Sequence, residues 1–111
     1  MGKMQREKGK RGEREFADEL KAALPQFADQ IKRGIQSRDG GEVADVQGVP
    51  GFWFENKSGA KPNPRAALKQ AQAAAPTDNI VVARIRDDRG QPFMVMSAED
   101  FYTMLQAWFE Q

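Results

Sequence analysis

The sequence contains no cysteine and no histidine. That excludes disulfide scaffolds, zinc fingers, thiol nucleophiles and any mechanism built on an imidazole base. A metal ion in such a chain must be held by oxygen ligands, which favours magnesium, manganese or calcium over zinc. No apolar run approaches the length of a membrane span. The first twelve residues are basic but lack the apolar stretch of a secretory signal, so a cytoplasmic protein is expected. Net charge is also scarce: 17 Lys and Arg against 16 Asp and Glu leave +1. This excludes a polybasic tail protein and an acidic disordered one. What is present is 111 residues, 40% hydrophobic and 30% charged, enough for one domain with a modest core.

The small net charge hides blocks. Residues 1–11 hold Lys3, Arg6, Lys8, Lys10 and Arg11 against Glu7 alone. Residues 56–77 hold Lys57, Lys61, Arg65 and Lys69 and no acid, while Glu99, Asp100 and Glu110 stand near the end with no base. The expected division is a basic arm at 1–11 and a folded domain at 12–111.

Phe16, Leu20, Ala23 and Leu24 form an apolar stripe that predicts a helix from about Gly12 to Leu24, stopped at Pro25. Strands are expected at 31–37, 43–47 and 52–57, with a loop at 38–42 and a turn at Val49-Pro50-Gly51. Phe52-Trp53-Phe54 is apolar without alternation, so that strand is expected to be covered on both faces. An alanine-rich helix follows over 65–75. Strands at 79–86 and 92–96 flank a turn at Asp87-Asp88-Arg89-Gly90. Ser97-Ala98-Glu99-Asp100 resembles a capping box, and it opens a helix to about Phe109 with Phe101, Met104, Leu105 and Trp108 on one face. The order α-β-β-β-α-β-β-α predicts an α/β single domain with a central mixed β-sheet flanked by helices.

Chemistry gathers around Asp45 and the run Glu55-Asn56-Lys57. Alternate residues of a strand share a face, so Glu55 and Lys57 point the same way. If the segments around Asp45 and Glu55 pair as a hairpin, two carboxylates and an ammonium converge. Such a set suits a hard divalent ion, which activates water and neutralises charge on a phosphate. The lysine can orient the attacking water or stabilise the transition state. The same spacing also fits solvated strand residues with a same-face ion pair of little weight. Glu13, near the expected start of the first helix, is a third candidate acid, although a glutamate there is favoured by the helix dipole in any case.

These residues resemble the PD-(D/E)XK nuclease signature. The segment Lys8-Gly9-Lys10-Arg11-Gly12-Glu13-Arg14-Glu15-Phe16 resembles the first helix of archaeal-type Holliday junction resolvases, and Glu13 matches that family's metal-site glutamate. Ser37-Arg38-Asp39-Gly40-Gly41 stands in the place of the family's loop before the aspartate strand. Short phage and bacterial resolvase-like endonucleases share the layout. Ala44 replaces the usual proline before Asp45. The family's helical glutamine matches Gln70 best, with Gln72 an alternative. The resemblance implies a restriction-endonuclease-like fold and Mg²⁺, with Mn²⁺ as a substitute, bound by Asp45, Glu55 and the Asn56 carbonyl, with Glu13 as a direct or water-mediated contact. It implies that Lys57 positions water and that cutting leaves a 5′-phosphate and a 3′-hydroxyl.

DNA is the implied partner, branched or junction DNA above all. Lys8, Lys10, Arg11, Arg38, Lys61, Arg65 and Lys69 are the candidate phosphate contacts, with Arg33 an addition. No base-reading motif is present, which fits recognition of shape. A two-fold homodimer would supply paired cuts, and surplus apolar residues at Phe93–Met96, Tyr102 and Phe109 offer an interface. A nicking or restriction-type nuclease on duplex DNA, or a non-catalytic DNA-binding module, are the alternatives.

Overall fold

The computed structural model describes residues 2–35 and 42–111, with side chains from residue 7 onward, Lys8 excepted. The sequence-predicted loop at 38–42, including Arg38, therefore lies almost wholly outside the described residues. The first helix, α1, spans Gly2–Ala23 and so begins ten residues before the predicted start at Gly12. The added residues contain no proline and no β-branched side chain, and Lys, Arg, Gln, Glu and Met all favour helix. They lack an apolar stripe, which is why periodicity alone placed the start at Gly12. The basic arm is thus helical backbone continuous with α1.

Pro25 closes the helix and opens a single 3-10 turn, Pro25–Phe27. Strands β1 (Lys32–Arg33), β2 (Val46–Gln47) and β3 (Phe52–Gly59) follow. Helix α2 (Pro64–Ala74) then leads to β4 (Ile80–Asp87), β5 (Phe93–Val95) and helix α3 (Ala98–Phe109). The predicted element order holds. The five strands form one sheet in the order β1-β2-β3-β4-β5. Only β3 and β4 run parallel, from Phe52↔Ile80 to Gly59↔Asp87, because α2 carries the chain back between them. The other neighbours are antiparallel.

Strand alternation sorts the core into two layers. Phe54 and Val82 pack with Val46, Ile31 and, from α1, Phe16 and Ala17. Trp53 and Val81 pack with Ala44 and, from α2, Ala71, while Ala83 and Ile85 meet Ala67. The strand Phe52-Trp53-Phe54 is thereby covered on both faces. Phe16 is fully buried and meets Phe54 edge to face at 5.2 Å. Truncation of such a residue costs about 3–5 kcal/mol.

Polar groups fix the element ends. Asn63 caps α2 by accepting from the Ala66 N–H, and Pro64 occupies the first turn, where it has no donor to lose. Ser97 caps α3 by accepting from the Asp100 N–H at 3.0 Å. The reciprocal half of the predicted capping box is replaced. The shorter Asp100 carboxylate turns to the sheet and accepts from the Val81 N–H at 3.0 Å, which ties α3 to β4. Among the described residues no helix is long and apolar enough to cross a membrane.

Candidate active site

Asp45 stands one residue before β2, locked by backbone bonds on both sides. Its N–H donates to the Phe54 carbonyl at 3.0 Å, and its carbonyl accepts from the Gly34 N–H at 2.8 Å. Because Val46 pairs with Phe54 in antiparallel register, Asp45 falls opposite Glu55. The hairpin required by the sequence reading is present. Asp45 Oδ2 accepts from the Asn56 N–H at 2.9 Å, and Glu55 Oε1 accepts from Trp53 Nε1 at 3.1 Å. Trp53 and Glu55 are neighbours on one face of β3, so a buried indole holds the carboxylate in place.

Two carboxyls this close in a half-buried site resist ionising together. Burial, then hydrogen bonding to Asp45 and repulsion by its charge, push Glu55 up to about 8, against a lowering contribution from the Trp53 N–H. Glu13 comes from α1. Burial first and Asp45's charge second raise its pKa, while Arg33 and Lys10 oppose the shift. Arg33 Nε and Nη2 both donate to Glu13 Oε1 at 3.1 Å. Glu13 thus feels the charge of Asp45 and adds a small push to Glu55, yet its own charge is matched by Arg33. Among the described residues no group of three or more acidic side chains is placed to hold a metal ion.

A cleft of about 620 Å³ opens between α1, β1 and the segment before β2, lined by Lys10, Glu13, Arg33, Ile35 and Asp45 among others. Lys57 follows Glu55 on the same face, is exposed, and makes no ion pair among the described residues. The Asn56 side chain turns to the α1 face. Its Oδ1 accepts from Arg84 Nη1 at 2.9 Å and its Nδ2 donates to Ser58 Oγ at 3.0 Å. Its backbone, meanwhile, stays bound to Asp45.

The two glutamines separate. Gln72 lines a groove with Arg65, Lys69, Val95 and Met96 on the β5 side of α2. Gln70 is about 200° away around the helix and so lies on the β3 flank, the side of Glu55. By the same geometry Arg65 and Lys69 face away from the acidic pair. Of the other predicted DNA contacts, Lys10 lines the acidic cleft, Arg11 lines a separate polar cleft with Glu15, Arg86 and Asp87, and Lys61 is exposed beyond β3. The side chain of Lys8 and all of Arg38 lie outside the description.

Arg84 was missed by the sequence reading. It is fully buried on β4, donates to both Glu19 oxygens at 2.9 and 2.7 Å, and lies 5.6 Å over the Phe16 ring. The available signal was an arginine on the face that alternation assigns to the core, where a charge needs a partner. The chain matches no protein-family model, no curated protein and no solved structure.

Proposed function

We propose that the protein is a metal-dependent DNA endonuclease of the PD-(D/E)XK type, acting on branched DNA in the cytoplasm of a bacterial or phage-infected cell. The observation that supports this best is the Asp45–Glu55 pair, with Glu55 pushed up to about 8. A half-buried carboxyl that burial and a neighbouring carboxylate hold back from ionising is short of positive charge. A divalent cation bound by oxygen would supply it, and Mg²⁺ typically takes one or two protein carboxylates and keeps its remaining positions for water and phosphate. Asp45, Glu55 and the Asn56 carbonyl would hold the ion, with Mn²⁺ able to substitute. When bound, it supplies neutralisation of phosphate charge and acidification of water.

The chain's own groups then have distinct tasks. Trp53 orients Glu55, and the Asn56 N–H orients Asp45. Lys57, with no ion pair among the described residues, holds the attacking water or meets the charge that develops on the phosphate. Gln70, on the β3 flank of α2, is the glutamine suited to assist there. Glu13, matched by Arg33, is suited to a water-mediated contact more than to direct ligation. Resolution of a two-fold junction calls for two such sites, so the protein acts as a homodimer, and the exposed apolar face of α3 supports this.

The test compares a four-way junction with linear duplex of the same sequence, with Mg²⁺ present. Wild type is expected to cut the junction preferentially. Asp45→Asn and Lys57→Ala are expected to lower cutting at least about a hundredfold while DNA binding persists. Equal cutting of junction and duplex would remove the preference for branched DNA and leave a general nuclease. Undiminished cutting by both variants would place the chemistry elsewhere.

A further inference from the structure

The acidic cleft does not end at Arg33. A second groove of about 440 Å³ continues from it, shares Arg33 and Ile35 as walls, and runs between the outer flank of α1 and β1. Its edges carry Arg14 and Lys21 from α1 and Lys32 from β1, with Asp18 the one acid among the described residues lining it. Arg14, Lys21 and Lys32 are exposed and make no ion pair among the described residues. No described carboxylate pairs with them, unlike Arg33, Arg84 and Arg86, which are matched by glutamates. Lys10 extends the row into the cleft beside Glu13.

We propose that this groove takes the phosphate backbone of a duplex arm and leads it to the Asp45–Glu55 pair. Lys10 and Lys21 lie eleven residues apart on α1, about 16 Å along the helix. That matches the axial rise of about five nucleotides of one strand. The groove has no aromatic wall, and single strands are held by stacking on aromatic rings, so a duplex is favoured over a single strand. The contacts are side-chain ammonium and guanidinium groups with no base-reading pattern, so they set position and affinity but not sequence preference. The path also differs from the one over α2 suggested by the order of basic residues in the chain, since Arg65 and Lys69 flank the opposite side of that helix. The inference rests on the nuclease reading only in naming DNA as the ligand.

The experiment measures binding to a four-way junction, a plain duplex and a single strand over a range of salt concentrations. It uses the Asp45→Asn protein in chelator, so that nothing is cut. The combined substitution Arg14→Ala, Lys21→Ala, Lys32→Ala is expected to weaken junction and duplex binding at least about tenfold near physiological salt. It is also expected to flatten the slope of log affinity against log salt by about 2 to 3, close to 0.9 per lost phosphate contact. Arginine in place of Lys21 and Lys32 should keep the slope, which separates charge from fold, and the thermal midpoint should stay unchanged because all three side chains are exposed. An unchanged slope, a loss confined to the single strand, or a slope lost instead in Arg65→Ala, Lys69→Ala would overturn the proposal. So would a wild-type chain that binds no DNA. If the wild type cuts nothing under any metal yet the triple variant loses the slope, the groove stands and the nuclease reading fails.

Discussion

Glu55 carries an ionisation that the fold opposes and the unfolded chain does not. In the fold it is half-buried against Asp45 and held up to about 8, against an ordinary value of 4.5. Between those two values the unfolded chain has released a proton that the folded chain keeps. Without metal, stability therefore falls as pH rises through that window and levels off above it, and below it the group makes no difference. Glu55→Gln keeps an acceptor for Trp53 Nε1 and cannot ionise. Discounted for the part of the site open to solvent, the gain at pH 8.5 is about 1 kcal/mol, or a rise of about 4 °C in Tm, with no gain at pH 4. Mg²⁺ is expected to raise the midpoint of the wild type, more strongly as pH rises because the ion then competes less with a proton on Glu55, and to do much less for the variant. Thermal melts at three pH values with and without Mg²⁺ check this. A variant less stable than wild type at pH 8.5 would show that the pair is not strained. The approach of Asp45 to Glu55 was legible in the sequence because a hairpin between neighbouring strands is local. Arg84 was not, since its partner Glu19 stands 65 residues away and no local pattern joins them.

At the scale of elements, the distance between α1 and β3 decides where Glu13 stands, and Gly12 sets that distance. A Cβ at Gly12 would lie 2.5 Å from both Asn56 Nδ2 and Ser58 Oγ, atoms already bonded to each other. Asn56 cannot simply swing aside, because Arg84 holds its Oδ1. Gly9 lies one turn earlier in the same helix and has nothing within 4 Å. Helix propensity alone would make alanine better at both sites by up to about 1 kcal/mol. Gly9→Ala is therefore expected to stabilise slightly, while Gly12→Ala destabilises by about 1–3 kcal/mol as α1 is pushed off the sheet. Urea midpoints for the two variants check the contrast, and equal stabilisation by both would mean that the helix is not seated on Asn56. The elements themselves were readable wherever a core had to be covered: the stripe at Phe16 and Leu20, the unbroken Phe52-Trp53-Phe54 and the strand from Ile80 all declare buried faces. The first ten residues of α1 contain no periodic apolar stripe in their sequence and so give no helical signal by periodicity. Asp100 resembled a capping partner, but its short side chain finds the Val81 N–H before it can reach back to Ser97.

At the scale of the whole molecule, α3 is held at its start and little beyond it. Ser97 caps it and Asp100 ties it to β4, yet none of its residues is buried. Trp108 is 66% exposed, Phe109 79% and Tyr102 61% along α3, and Phe93 and Met94 of β5 are about half exposed as well. Monomeric domains seldom leave so many large apolar side chains of one helix in solvent. A helix with Glu99 and Asp100 in its first turn and no basic residue in its last also has no charge pattern of its own to keep it in solvent alone. Packed against a second copy, the same residues would form an isologous interface and set two Asp45–Glu55 sites in one particle, as a two-fold junction requires. Sedimentation equilibrium of the wild type is expected to give a dimer. Leu105→Glu with Trp108→Glu places two charges on the apolar face and is expected to give a monomer with an unchanged circular dichroism spectrum, because neither side chain supports the core. On a four-way junction the monomer should leave single nicks where the dimer makes paired cuts. A wild type that sediments as a monomer even when bound to a junction would remove the dimer from this account, while the proposed role of Asp45 and Glu55 within one chain would be untouched.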